Sequence, residues 1–172
     1  EGSDELYKLA DIKLNTHLAD ILSMQAEGWA AWKKLESGSF QQAIDFTVQA
    51  QSASIQDASL LYGEYLPDLG PAEAFVRIHG EGSSLSGSDF SIQVGTENNL
   101  LLTAQGKVAE ISLTDSAHKG IELIGKLTAK NTSYLSKLLE SSEVPNVGSL
   151  SGEFLLKGDS HSLQIPYFKL SA

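Results

Sequence analysis

The side chains that could perform acid–base or metal chemistry are spread along the chain without forming a recognisable constellation. The four histidines are His17, His79, His118 and His161, and no two of them fall at a metal-ligand spacing on one predicted element. The absence of cysteine excludes disulfides, thiolate metal sites and cysteine nucleophiles. Serines are plentiful, but no Gly-x-Ser-x-Gly elbow occurs. We therefore expect no enzyme, no metal site and no cofactor.

Three local motifs suggest binding or modification, and each has a simpler structural interpretation. The segment 80–85 (GEGSSL) begins like a dinucleotide loop, but Leu85 stands where the third glycine belongs and a strand follows instead of a helix. Asn131-Thr132-Ser133 matches a glycosylation acceptor, although a helix cap explains it more simply. Trp29 and Trp32 could form a carbohydrate platform, but packing at the end of a sheet is the more common role.

Composition and charge narrow the possible partners. The chain carries 12 basic and 22 acidic residues, a formal net charge of −10, which argues against nucleic acid and against adsorption to an anionic membrane surface. A hydrophobic fraction of 41% is that of a folded protein. No apolar run approaches the roughly 20 residues needed to span a bilayer, so we expect any membrane contact to come from other parts of a longer parent protein.

The elements that would have to position any site repeat with a period of 78 residues. Leu66-Pro67-Asp68-Leu69-Gly70 is followed by Val144-Pro145-Asn146-Val147-Gly148, and Gly80 by Gly158. Repeats fix an architecture before single residues are interpreted. The prediction is one continuous β-rich segment over residues 1–172, built of units at 6–83 and 84–161, with 162–172 starting a third.

Period-two alternation of apolar residues predicts mainly β structure. Predicted strands cover Leu6–Thr16, Ile44–Gln51, Ala72–His79, Leu100–Val108, Ile121–Ala129 and Leu150–Lys157, with further copies of the first strand around Phe90 and Phe168. The short links favour antiparallel neighbours, except across the helices, where the direction stays open.

Two segments need separate arguments. Residues 21–32 fit an amphipathic helix or a strand, and the strand-like repeat partner at 100–108 favours a strand. A short helix is predicted after each third strand, with Ser54 as N-cap and Gly63 closing the helix in the first unit, and Asn131 or Thr132 capping the second. The Pro-x-x-Gly turns at Pro67, Gly70, Pro145 and Gly148 then end each helix and start the next strand.

The order of strand, short helix ending in Leu-Leu, Pro-x-x-Gly turn, strand and glycine turn resembles the AsmA-like family, which includes TamB. The matching residues include Leu60-Leu61, Leu66 to Gly70, Gly80 and Phe90, and their copies 78 residues later. The resemblance covers residues 40–172 well and implies a β-groove with an apolar interior, a β-taco-like fold. It also implies phospholipid transport between inner and outer membranes and outer-membrane homeostasis, with no catalytic residues to carry over.

The resemblance implies a lipid-facing wall, whose expected residues are Phe46, Val48, Val76, Ile78, Phe90, Ile92, Leu100, Leu102, Leu123, Phe154 and Leu156. The same alternation is compatible with the ordinary core of a closed β-sandwich. We therefore weigh three functions: a lipid groove, a structural or adhesive sandwich spacer, and a carbohydrate-binding module.

The expected partners are phospholipid or fatty acyl chains, and other envelope proteins at the ends of the parent chain. The resemblance implies a periplasmic location, with the parent anchored in the inner membrane of a Gram-negative bacterium.

Overall fold

The structure is a computed structural model that describes residues 6–35, 37, 40–61, 63, 65–82, 84–112, 118–135, 146 and 148–171. The described residues form nine strands and one short helix. In chain order they are β1 (Leu6–Leu18), β2 (Leu22–Lys34), β3 (Phe40–Ser52), α1 (Ile55–Leu60), β4 (Ala72–Glu81), β5 (Ser84–Gly95), β6 (Leu100–Ile111), β7 (Lys119–Ala129), β8 (Leu150–Asp159) and β9 (Ser162–Ser171), with a 3-10 turn at Thr132–Tyr134.

All nine strands belong to one sheet in which each strand pairs with its sequence neighbours. Every pairing is antiparallel, including β3–β4 and β7–β8, where the sequence left the direction open. The prediction of mainly antiparallel β structure is confirmed. The strand interpretation of residues 21–32 is also confirmed, because β2 contains all of them except Ile21, which lies in the preceding turn.

The sheet is an open single layer, as the groove prediction required. The chain exposes 11221 Å², whereas a compact monomer of 18.4 kDa exposes about 8,200 Å². No large side chain among the described residues is fully buried, although two packed sheets would bury several. The closed β-sandwich alternative is therefore wrong, because one strand layer with its neighbours in sequence order has no second sheet to cover it.

Corresponding strands recur at the 78-residue spacing. β1, β5 and β9 begin at Leu6, Ser84 and Ser162. Each contains a β-bulge, that is, one extra residue relative to a paired strand: β2 for β1, β4 for β5 and β8 for β9. In β1 and β5 an aspartate takes the left-handed conformation at the bulge, Asp11 with φ 55° and Asp89 with φ 52°. A bulge increases local twist and bends the strand, so the sheet is bent at regular intervals.

The first helix and its following turn form as the sequence predicted. The Ser54 hydroxyl oxygen accepts a hydrogen bond from the Asp57 amide at 3.2 Å, and Gly63 has φ 75° just beyond the helix. Pro67 lies in the loop between α1 and β4. Gly70, with φ 96°, completes the turn, since its carbonyl accepts from the Ile55 amide at 2.9 Å.

The second copy shows the same cap and the same contact between the turn and the helix start. Asn131 caps it through a 2.8 Å hydrogen bond from the Ser133 amide to its side-chain oxygen, and the carbonyl of Gly148 (φ 100°) accepts from Thr132 at 3.0 Å. The described part of this helix is the 3-10 turn and Leu135, which follows it in α-helical conformation, whereas Leu138-Leu139 and Pro145 lie outside the described residues. Within the described residues, no helix is long and apolar enough to cross a bilayer.

Candidate functional site

The strand registers divide the side chains between an apolar face and a polar face of the sheet. Directly paired residues share a face, so the pairs Phe46–Ile78, Val48–Val76 and Leu123–Leu156 place their side chains together. By the same registers, the apolar face contains all eleven residues expected to form a lipid-facing wall: Phe46, Val48, Val76, Ile78, Phe90, Ile92, Leu100, Leu102, Leu123, Phe154 and Leu156.

The apolar face is more extensive than the predicted wall. Directly paired residues form rows across the strands, and these rows stay apolar from strand to strand. One such row contains only apolar residues or glycines from β3 to β8: Phe46, Ile78, Gly87, Val108, Ile121 and Gly158. Sequence reasoning missed further members that lie two, four or six residues from predicted ones on the same strands: Ile44, Val94, Val108, Ile121, Leu127 and Leu150. A two-residue step along each predicted strand would have found most of them, because side chains alternate between faces.

The apolar face is shielded although no second layer covers it. Its central residues are buried or half-buried, and Leu100 is only 3% exposed. On the edge strands the same face is open, with Leu14 59% and Phe168 57% exposed. Leu100 lines a recess together with Leu69 and Tyr134, so the loop after α1 and the 3-10 turn shield this end of the face. The burial of the central strands fits a sheet curled toward its apolar side. The apolar face is thus the inside of the groove.

Glycines allow large side chains to lie flat on this inner surface. Gly125 and Phe154 are direct cross-strand partners, and a Cβ atom placed on Gly125 would overlap the Phe154 ring. Gly28 and Gly106 instead permit close approach of the neighbouring backbone, at Asp45 and Glu122. Each of these two glycines lies next to a bulge in the neighbouring strand. Gly28 pairs with Ile12 and Gly106 with Phe90, the first residues in regular register after the bulge. The Phe154 ring therefore lies over Gly125 and fills the space that a side chain at position 125 would occupy.

Cross-strand ion pairs lie on the polar face. The Arg77 guanidinium donates two hydrogen bonds to Asp45, at 2.8 and 2.6 Å, and this contact lowers the pKa of the Asp45 carboxyl despite partial desolvation. Lys157 lies 2.8 Å from Glu122 and lowers the pKa of that carboxyl in the same way. Both carboxyls therefore stay ionised to lower pH than free ones, and each is held in an ion pair on the outside of the sheet.

The histidines do not form a site. Among the described residues, no group of three or more histidines and carboxylates is placed to hold a metal ion. His17 borders a recess of about 550 Å³ at one end of the sheet, and His79 contacts the Ser86 hydroxyl at 3.2 Å. His118 and His161 both lie beside Ser160, His118 through its backbone and His161 through its ring nitrogen.

The two tryptophans cannot form a joint carbohydrate platform, because they point to opposite faces. Trp29 pairs with Asp45 on the polar face, whereas Trp32 pairs with Tyr7 and Gln42 on the apolar side. The Lys8 ammonium lies 4.9 Å from the centre of the Trp29 ring, a cation–π contact. The joint platform, which the sequence left open as the less common alternative, is therefore not formed, because residues three apart on a strand face opposite sides.

Fold and site together define the class of protein: an open, single-layer antiparallel sheet with one continuous apolar inner face. A scan against protein-family models finds no match for this chain, and neither the curated proteins nor the solved structures contain a significant match. Function is therefore inferred from the geometry of the sheet and from the residues themselves.

Proposed function

We propose that this chain is a non-enzymatic segment of an AsmA/TamB-like envelope protein that carries the acyl chains of phospholipids along its apolar face. The observation that supports this most directly is the continuous apolar face, which crosses all nine strands and has no covering layer in the described structure. Soluble monomers rarely leave an apolar strip of this length uncovered unless it binds something.

The dimensions suit an acyl chain. Nine strands at about 4.8 Å spacing give an apolar face about 38 Å across. One acyl chain spans about half of the ~30 Å hydrocarbon core of a bilayer, so it would cover about three strands. Each methylene removed from water contributes about 0.8 kcal/mol, whereas the charged head group would remain at the open mouth of the groove. Several lipids could occupy successive positions along the sheet.

The cellular setting follows from the same proposal. Transport between inner and outer membranes requires a periplasmic segment, with the parent protein anchored in the inner membrane and other envelope proteins at its ends. A sheet about 38 Å across is little longer than one bilayer is thick, so this segment supplies one stretch of a longer path. The role in outer-membrane homeostasis belongs to the whole path.

The first test is the lipid content of the purified chain. Organic extraction followed by mass spectrometry is expected to find phospholipid or fatty acid bound in reproducible stoichiometry. Reproducibly lipid-free protein that also fails to bind a fluorescent fatty acid would refute the groove mechanism and leave a structural spacer as the better explanation.

The second test uses two adjacent residues on opposite faces of β7. Leu123 lies on the apolar face, whereas Ile124 lies on the polar face and is 58% exposed. Leu123→Asp is expected to reduce binding of a fluorescent fatty acid by at least about tenfold, because a carboxylate in the groove interrupts the apolar contact. Ile124→Asp is the matched control and should bind like the parent chain. Equal binding by both variants, with both folded by circular dichroism, would contradict the proposal.

A further inference from the structure

The polar face contains a recess between two apolar side chains. It has a volume of about 450 Å³ and spans β3 to β7. Phe75, Ser91, Gln105 and Ile124 form one cross-strand row through it. Phe75 and Ile124 flank the row, and three strand spacings of about 4.8 Å place them about 14 Å apart. Volumes of this size are typical of small-molecule sites.

The floor of the recess has polar groups that no protein partner occupies. Ser91 and Gln93 on β5, and Thr103 and Gln105 on β6, line the recess. Thr103 is half-buried and the other three are exposed, and none of the four side chains hydrogen-bonds another described residue. Side chains around them are paired: Gln49 and Gln51 donate to Glu73 at 3.0 and 2.7 Å, and Lys126 lies 3.9 Å from Glu153.

The Glu73 carboxylate, which Gln49 and Gln51 hold in place, adds a hydrogen-bond acceptor to the recess. Both amide donors reach the same Glu73 oxygen, Oε1, so they fix the carboxylate and leave Oε2 without a partner among the described residues. Amides and hydroxyls both donate and accept. The recess therefore offers mixed donors and acceptors beside the flat apolar surface of Phe75.

We propose that this recess binds a neutral carbohydrate, with a sugar ring stacked on Phe75 and its hydroxyls bonded to Glu73, Gln93 and Gln105. A sugar has hydroxyls that donate and accept together with an apolar C–H surface, which matches this lining. An anionic ligand fits less well, because the chain carries a net charge of −10 and Lys126, which lines the recess, is paired with Glu153. An apolar ligand would leave the floor groups unpaired.

The site is on the opposite face from the proposed lipid groove, so the two proposals are independent. Sugar binding here would mean that the outside of the sheet contacts a glycan while the inside carries acyl chains. Failure of one proposal would leave the other unchanged.

The test is a nuclear magnetic resonance titration of the full chain with a panel of neutral hexoses, N-acetylhexosamines and their disaccharides. At least one sugar is expected to bind with a Kd of about 1 mM or below and to shift the amide signals of residues 91, 93, 103 and 105. Gln105→Ala is expected to weaken binding about tenfold, because one hydrogen bond to the sugar is lost. Phe75→Leu should weaken it similarly, because it removes the stacking surface while keeping an apolar side chain.

The matched control is Gln25→Ala, which removes an exposed glutamine from the same face but outside the recess. It should leave sugar binding unchanged. The proposal is overturned if no sugar in the panel shifts the recess signals at about 100 mM, a hundredfold above the expected Kd. It is also overturned if folded Gln105→Ala and Phe75→Leu bind as the parent does.

Discussion

The contact between Gly125 and Phe154 allows a sharp test of how the groove wall is built. In a strand interior, replacing glycine by alanine normally stabilises by about 0.5–1 kcal/mol, because glycine loses more backbone entropy on folding. Here the new Cβ would overlap the Phe154 ring, and overpacking of this kind costs about 1–3 kcal/mol. The overlap outweighs the entropy gain, so we expect Gly125→Ala to destabilise the chain by about 0.5–2 kcal/mol.

A double-mutant cycle measures the contact itself. Without the ring, as in Phe154→Ala, the space above Gly125 is free, and Gly125→Ala should become stabilising by about 0.5–1 kcal/mol. The coupling free energy between the two positions is then at least about 1 kcal/mol. Urea denaturation followed by far-ultraviolet circular dichroism gives all four stabilities. Stabilisation by Gly125→Ala in the parent background, or additivity of the two changes, would refute the packing argument.

Three further predictions concern the turns, the ion pairs and the helix cap. Gly70→Ala and Gly148→Ala should each lower the free energy of unfolding by about 1–3 kcal/mol, because both glycines have positive φ; urea midpoints check this, and wild-type midpoints would contradict it. Asp45→Asn should destabilise at neutral pH, because the pKa of Asp45 is lowered by Arg77. The stabilisation from the Asp45–Arg77 pair is present above the ordinary pKa of about 3.9 and is lost as the pH falls through the folded-state pKa. The stabilities of variant and parent should therefore converge in acid, and a difference that does not change with pH would contradict this. Ser54→Ala should cost about 1 kcal/mol and increase amide exchange in the helix it caps, whereas unchanged exchange would show that the cap is dispensable.

Much of this fold could be predicted because the 78-residue repeat shows the same pattern of elements twice. Residues 21–32 alone fit a helix or a strand, and the strand-like copy at residues 100–108 decided between them correctly. The helix start at Ser54 was predictable because capping is local chemistry. The predicted wall residues also fell on one face without exception, since alternation along a strand determines sidedness wherever no bulge intervenes.

The features that sequence reasoning missed depend on contacts between distant strands. The recess on the polar face joins Phe75 to Ile124 through residues of two intervening strands, and only the full register shows that row. Ile124 breaks the alternation of apolar and polar residues in its strand, but the residues beside it on the neighbouring strands cannot be read from the sequence. The left-handed aspartates at Asp11 and Asp89 were likewise unforeseen, although asparagine and aspartate tolerate that conformation better than most residues.

The alternation of apolar and polar residues does not reveal whether the apolar face is open or covered. An open face has a consequence that calorimetry can measure. An unfolded chain of 18.4 kDa exposes about 26,700 Å², so folding to 11221 Å² buries about 15,500 Å², whereas a compact fold of this mass would bury about 18,500 Å². Because the heat-capacity change and the denaturant m-value scale with the area exposed on unfolding, both should be about one-sixth below those of a compact domain of 172 residues. Scanning calorimetry and guanidinium titration measure the two quantities. Values typical of a compact domain would mean that the apolar face is covered in solution and that the groove is not open.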